Sequence, residues 1–360
     1  MSIANRARVR LSCPADILSS IPYLVGYHPS HSIVVVGMQD RHIAFAARDD
    51  LPADGGPPAP EAVRALVDVV ARQRCDGVLL VGFGEEERVT PVIWTVGDAL
   101  AQANVEIREA LRADGGRYWS YLCTNPSCCP PEGTAYDPTT SPVAAAWTVA
   151  GRAVLRDRQE YEAQLQPIVG ELREEVHRHT EAATQRLFDL VADAADESHA
   201  RAALVAAGTR AIAEALDTTL RGEQPTPEQV AWLSVLLMDV AVRDVAWLLI
   251  LSAGDEPEPH RALWQHLLRT VDTDLLAPAA TLFALAAWRC GDGGIARIAL
   301  ERALDVDPDY RVAGMLAGAI ARGLPPSAMD TLSPSASARR RRGGRRRRRS
   351  STARAGTRRA

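Results

Sequence analysis

Residues 33–47 read IVVVGMQDRHIAFAA, and the fold follows from how that stretch is read. Ile33–Gly37 is an unbroken apolar run rich in β-branched side chains. Ile43–Ala47 is a second such run, and the polar link Met38-Gln39-Asp40-Arg41 joins the two. Two apolar β-formers with a short polar connection predict a β-hairpin. Upstream, Ser12 can cap a short helix through Ser20, with Pro14 in its first turn and Pro22 ending it. Downstream, the Pro- and Gly-rich loop Pro52–Pro60 leads into an amphipathic helix over Glu61–Arg74. Asp76-Gly77 then turns the chain into a third strand, Val78–Gly82. Thr90-Pro91 has the form of a helix start, a capping residue followed by proline. Beyond it come an extended segment, Val105–Leu111, a turn at Asp114-Gly115-Gly116 and an aromatic strand, Tyr118–Leu122. Residues 1–140 therefore predict an α/β domain with a mixed sheet of about five strands and helices on it.

From Ser141 the strand pattern stops, and helical periodicity runs to about Gly323. Residues 141–325 predict an all-α domain. Thr226-Pro227-Glu228-Gln229 has the form of a capping box, in which the threonine and glutamine side chains satisfy each other's backbone amides. Ala286–Pro308 is similar to a tetratricopeptide unit, with small residues at Ala296 and Ala303 where two helices would cross. A repeat array needs about three copies to bury a continuous core, so a single unit reads as an ordinary helical hairpin in a bundle.

The formal charge of −4 hides a segregation. Twelve of the 41 basic residues lie between Arg339 and Arg359, where there is no acid, which leaves 29 basic against 45 acidic residues elsewhere, a charge of −16. An acidic body repels nucleic acid and anionic membrane, so any polyanion binding belongs to the tail. Residues 326–360, rich in Ser, Gly, Pro and Arg, have too little apolar surface to fold and read as a disordered basic tail. Such a tail is suited to non-specific nucleic-acid phosphates. Every basic residue is arginine, a compositional bias from which no mechanism follows. The first twenty residues contain no apolar run of secretory length, and Val230–Leu251 is interrupted by Asp239, Arg243 and Asp244. The expectation is a cytoplasmic protein without a membrane partner, whose six cysteines are reduced.

Chemistry concentrates in Arg117–Asp137, RYWSYLCTNPSCCPPEGTAYD, which holds three of the six cysteines and three of the seven tyrosines. Three readings compete there. Cys123, Cys128 and Cys129 can supply thiolates to zinc, with His28 as the fourth ligand and His31 or Cys13 as alternatives. Against this, adjacent Cys128 and Cys129 point apart if the backbone is extended. One of the thiols can instead be a nucleophile activated by His28, His31 or His42, although no local signature of a cysteine hydrolase is present. Or Cys123 packs at a strand end and the vicinal pair shapes a rigid loop. Two further signals are weaker. Gly82-Phe83-Gly84 begins like a dinucleotide fingerprint, but Glu85-Glu86-Glu87 follows where a pyrophosphate would sit. Asp49 and Asp50, beside Arg48, could hold a cation or an amine, or simply end a strand in water.

Leu11–Leu18, the run Ile21–Pro29 leading into Ser32–Gly37, Cys123–Gly133 and Val242–Trp247 together resemble the actinobacterial family catalogued as domain of unknown function 4192. The similarity extends to about Pro326 and omits the Arg-rich tail. It implies a bacterial, cytoplasmic protein of mixed fold and carries no activity or catalytic residue with it. With no complete catalytic constellation in the chain, the sequence points to a non-catalytic binding or regulatory module that meets a protein partner through its helical domain. The alternative is a hydrolase or metal-dependent enzyme centred on Cys123–Cys129 with His28.

Overall fold

The computed structural model describes residues 11–149, 153–254 and 257–332. The chain forms two compact units. One runs to Gln164 and takes in Ala321–Leu324; the other runs from Leu165 to Ile320 and resumes at Pro325.

In the first unit the elements are α1 (Pro14–Val25), β1 (Ser32–Gln39), β2 (His42–Asp50), α2 (Pro60–Arg72), β3 (Gly77–Phe83), α3 (Glu86–Gln102), β4 (Glu106–Asp114), β5 (Arg117–Ser120), β6 (Thr134–Ala135), α4 (Pro142–Val149) and α5 (Arg158–Ala163). The six strands form one mixed sheet in the order β2-β1-β3-β4-β5-β6. Among the described strands of this sheet, β3 and β4 are the parallel pair, as the α3 crossover between them requires. The 33–47 hairpin is β1 and β2, paired antiparallel from Ser32 opposite Asp50 to Gln39 opposite His42. The sixth strand, absent from the sequence expectation, is two residues long, and its pairing of Thr134 with Tyr118 exists only because the cysteine loop folds back.

Alternation sorts the side chains of β1 and β3 onto two faces. Ile33, Val35, Val78 and Leu80 pack with Val89, Val92, Ile93 and Val96 of α3 and with Val63 and Val70 of α2. Val34, Val36, Leu79 and Val81 pack on the other face with Leu18 and Ile21 of α1. One irregularity keeps β4 in step: Val78 lies opposite Ile107, but Leu79 lies opposite Glu109. The extra residue, Arg108, reverses the alternation, so Ile107 and Ala110 both reach the α2–α3 face.

Two helix boundaries correct the sequence reading, and both involve proline. Cys13, not Ser12, is the N-cap of α1. The helix passes through Pro22 to Val25 and ends where Gly26 adopts φ +93° and donates its N–H to the Pro22 carbonyl. Ile21 packs against the sheet and Pro22 is buried beside it, and this burial offsets the hydrogen bond that proline removes. Helix α3 begins at Glu86, four residues before Thr90, with Glu86 and Glu87 in its first turn, where the helix dipole favours acids, and Pro91 sits inside it.

The second unit holds α6 (Glu171–Ala192), α7 (Glu197–Leu220), α8 (Pro227–Leu236), α9 (Val240–Ser252), α10 (Glu258–Thr270), α11 (Leu276–Arg289), α12 (Gly293–Val306) and most of α13 (Arg311–Ala321). Its centre is α11, buried from Leu276 to Trp288, as expected of a helix that is apolar on all sides. Helices α11 and α12 form the hairpin read from Ala286–Pro308. Ala296, Ala299 and Ala303 are fully buried, and Asp292 caps α12 through the Ile295 N–H. The capping box at Thr226 and Gln229 is present in both directions. Asp239 splits the apolar stretch 230–251 by capping α9 through the Ala241 and Val242 amides, and among the described residues no helix is long and apolar enough to cross a membrane. Pro326–Leu332, assigned to the tail by composition, forms 3-10 turns, while Arg339–Arg359 lies outside the described residues.

Candidate metal centre

The loop that follows β5 is held at its entry, its middle and its exit. At the entry, Ser120 Oγ donates to Glu109 Oε1 on β4 (2.9 Å) and accepts from the backbone N–H groups of Leu122 (3.2 Å) and Cys123 (3.1 Å). In the middle, Asn125 Oδ1 accepts from the Ser127 N–H (3.0 Å), and the Asn125 carbonyl accepts from both Cys128 (3.0 Å) and Cys129 (2.8 Å). At the exit, the Gly133 N–H closes a turn onto the Pro130 carbonyl (2.8 Å). Trp119 Nε1 donates to the Pro131 carbonyl (2.9 Å), and Arg117 donates to the carbonyls of Glu132 (3.2 Å) and Gly133 (2.7 Å). Beneath this, the buried Arg112 guanidinium stacks on the Trp119 ring at 3.6 Å and pairs with Glu86 at 3.3 Å.

The loop thereby brings the sulfurs of Cys123, Cys128 and Cys129 within 4.8 Å of one another. All six cysteines are free thiols. The sequence argument that vicinal cysteines diverge holds only for an extended chain. Here both amides share the Asn125 carbonyl, which wraps the backbone in a helical sense and lets the two side chains reach the same side. A tetrahedral zinc with Zn–S bonds of about 2.3 Å sets its sulfurs about 3.8 Å apart, so the group is close to ligand spacing.

The protons are unequally held. The Asn125 backbone N–H bonded to the Cys123 sulfur, and then the Cys129 side chain, lower the Cys123 pKa below the ordinary thiol value. Burial, followed by the hydrogen bonds to Cys123 and Cys128, pushes Cys129 up to about 12. Of these two, Cys123 is the sulfur that ionises more readily, and Cys129 donates to it. The charge is stabilised by a backbone amide rather than by an imidazole.

None of the three early histidines joins the sulfurs. His28 donates its backbone N–H to the Leu155 carbonyl (3.1 Å); its side chain reaches solvent, and partial desolvation of the ring lowers its pKa. It precedes β1, whereas the loop leaves β5, three strand spacings or about 14 Å across the sheet. His31, with φ +44°, places Nδ1 3.5 Å from the Arg88 guanidinium, and His42 begins the edge strand β2. Asp50 already carries two cations, Arg48 at 2.6 Å and Arg158 at 2.7 Å, which outweigh burial and lower its pKa. Ser120 and Asn125, which organise the loop, were not singled out in the sequence. Their signal was present as short polar residues two or three positions before amides that need acceptors.

These features define a mixed α/β protein with a three-thiol loop on its sheet, continued by a helical region. The chain belongs to the family described as Domain of unknown function (DUF4192), whose model matches residues 14–327 and so takes in the sheet, the loop and the helices. No curated protein and no solved structure matches it significantly.

Proposed function

We propose that the chain is a non-catalytic binding module whose ligand at the cysteine loop is a zinc ion held by Cys123, Cys128 and Cys129. The observation that carries this reading is the convergence of three sulfurs within 4.8 Å on a loop braced by its own backbone. Thiolates are the donors that zinc prefers over the harder divalent cations, and a loop with its turns already formed loses little freedom on binding. Hydrolytic chemistry finds less support. A cysteine nucleophile needs a base within hydrogen-bond reach, and the groups hydrogen-bonded to Cys123 are an amide and two other thiols, while the nearby Glu109 carboxylate acts on it only through its charge.

The test is elemental analysis of the full chain purified under reducing conditions, with alkylation of the thiols followed by mass spectrometry. One equivalent of zinc is expected, with Cys128 and Cys129 protected from alkylation until a chelator is added. The Cys128→Ser, Cys129→Ser double variant is expected to lose the metal and keep its fold. Metal-free protein whose loop thiols are alkylated equally fast with and without added zinc sinks the reading.

A further inference from the structure

The pairing register separates the two acids at the end of β2. Asp49 lies opposite Ile33 and Arg48 opposite Val34, so Asp49 shares the α2–α3 face with Ile33, while Arg48 and Asp50 belong to the α1 face. On that face Arg48 and Asp50 pair at 2.6 Å, and Arg158 takes the second Asp50 oxygen at 2.7 Å. Asp49 is different. Its exposed carboxylate accepts from the Asp50 backbone N–H at 3.0 Å and is in no ion pair among the described residues. It stands at the rim of a cleft of about 230 Å³ between the sheet and helices α2 and α3. Ile33, Val35 and Ala47 form the floor, and Val69 of α2 and Val92 and Val96 of α3 stand on the walls. Apart from Arg48 and Asp50, which border the cleft with their side chains engaged on the other face, every residue that lines it besides Asp49 is aliphatic.

We infer that this cleft is a binding site for a small apolar amine, whose ammonium pairs with Asp49 while its hydrocarbon part fills the space between sheet and helices. An apolar pocket with a single polar anchor has the make-up of a small-molecule site, and the sign of the anchor selects a cation. A hard divalent cation is a poor fit, because it needs several oxygen ligands and the cleft offers one carboxylate among aliphatic walls. Size narrows the class further. A dry cavity of about 150 Å³ is enough for benzene, whereas drug-sized ligands occupy roughly 300–1,000 Å³. The cleft therefore suits one ring or a short branched chain. It lies at the β1–β2 end of the sheet, away from β5, so it does not depend on a metal at the cysteine loop.

The probe is 3-methylbutylamine, titrated into the full chain and followed by ligand-observed NMR. Its controls are 3-methylbutanol, which has the same hydrocarbon without the charge, and methylammonium, which has the charge without the hydrocarbon. The variants are Asp49→Asn, which removes the charge at an exposed position, and Ala47→Leu, which fills the cleft from its floor; circular dichroism would verify that both fold. Saturable binding of the amine at one site is expected. Asp49→Asn should weaken it by up to about fivefold, the range of an exposed ion pair, and bring it towards the alcohol. Each methylene removed from the amine should weaken it roughly fourfold, so methylammonium should not saturate. Ala47→Leu should abolish binding of amine and alcohol alike. If the amine does not saturate, or binds Ala47→Leu as well as the unchanged chain, the cleft is not its site and the inference fails. If amine and alcohol bind equally and Asp49→Asn changes neither, the cleft does not select amines and the inference fails as well. Asp49→Asn decides the second point even where Ala47→Leu does not fold.

Discussion

Gly133 shows how closely the loop depends on single positions. It sits at φ +78°, and a Cβ there would lie 2.5 Å from the Trp119 ring, the same ring whose Nε1 holds the Pro131 carbonyl. Backbone strain and steric overlap act together, so Gly133→Ala is expected to cost roughly 1–3 kcal/mol and to release the loop exit. Thermal unfolding would read the first effect, and faster alkylation of Cys128 and Cys129 the second. Unchanged thiol reactivity would show that the exit turn does not set the sulfur positions. The site was half legible in the sequence for a related reason. The residue types were visible, but convergence depends on two amides sharing one carbonyl at Asn125, a backbone fact that spacing alone does not encode. His28 was attractive because it precedes a strand, yet the strand it precedes is β1, three places from β5 in the sheet.

At the scale of elements, packing overrides local preference in ways that have a sign. Gly208 lies inside α7, where alanine would ordinarily gain about 1 kcal/mol in helix propensity. A Cβ at that position would overlap the Val242 side chain on α9, against a buried and well-packed surface. Overpacking of this kind costs about 1–3 kcal/mol, so Gly208→Ala is expected to lower the unfolding temperature rather than raise it. A rise would mean that α7 and α9 can separate without penalty. The same competition explains the two misplaced helix boundaries. The sequence shows Pro22 and Thr90-Pro91 as stop and start signals, but α1 and α3 are buried along the sheet, and that burial carries each helix through a proline. The β1–β2 hairpin and β3 were legible because their apolar runs are long and local. β6 was not, since two residues paired across a loop leave no pattern to read.

At the scale of the molecule, acid is the condition to which the helical unit responds most directly. His260 on α10 is 8% exposed, its Nδ1 has no hydrogen-bond partner, and burial lowers its pKa to about 4. His266 on the same helix is lowered as well, by burial first and then by Arg269. Above the unfolded histidine value of about 6.5 both states are neutral and nothing is lost. Between about 6.5 and 4 the unfolded chain takes up a proton that the folded chain refuses, so stability falls with pH by up to about 3 kcal/mol for His260. Unfolding midpoints recorded from pH 7 to pH 4 should drop steadily, and His260→Gln should flatten that slope. Parallel slopes for the two proteins would show that His260 is protonated in place without cost.

The return of Ala321–Leu324 to the first unit has a practical meaning. Arg72 donates to the Arg322 carbonyl at 3.0 Å, Gln73 to the Gly323 carbonyl at 2.5 Å, and Val69 packs against Gly323. The α/β unit is therefore discontinuous along the chain, with residues 165–320 of the helical unit lying between its two parts. An expression fragment ending at Gln164 exposes the end of α2 that those four residues cover. Producing the sheet unit by itself requires Ala321–Leu324 to be added back, as a fused segment or a separate peptide.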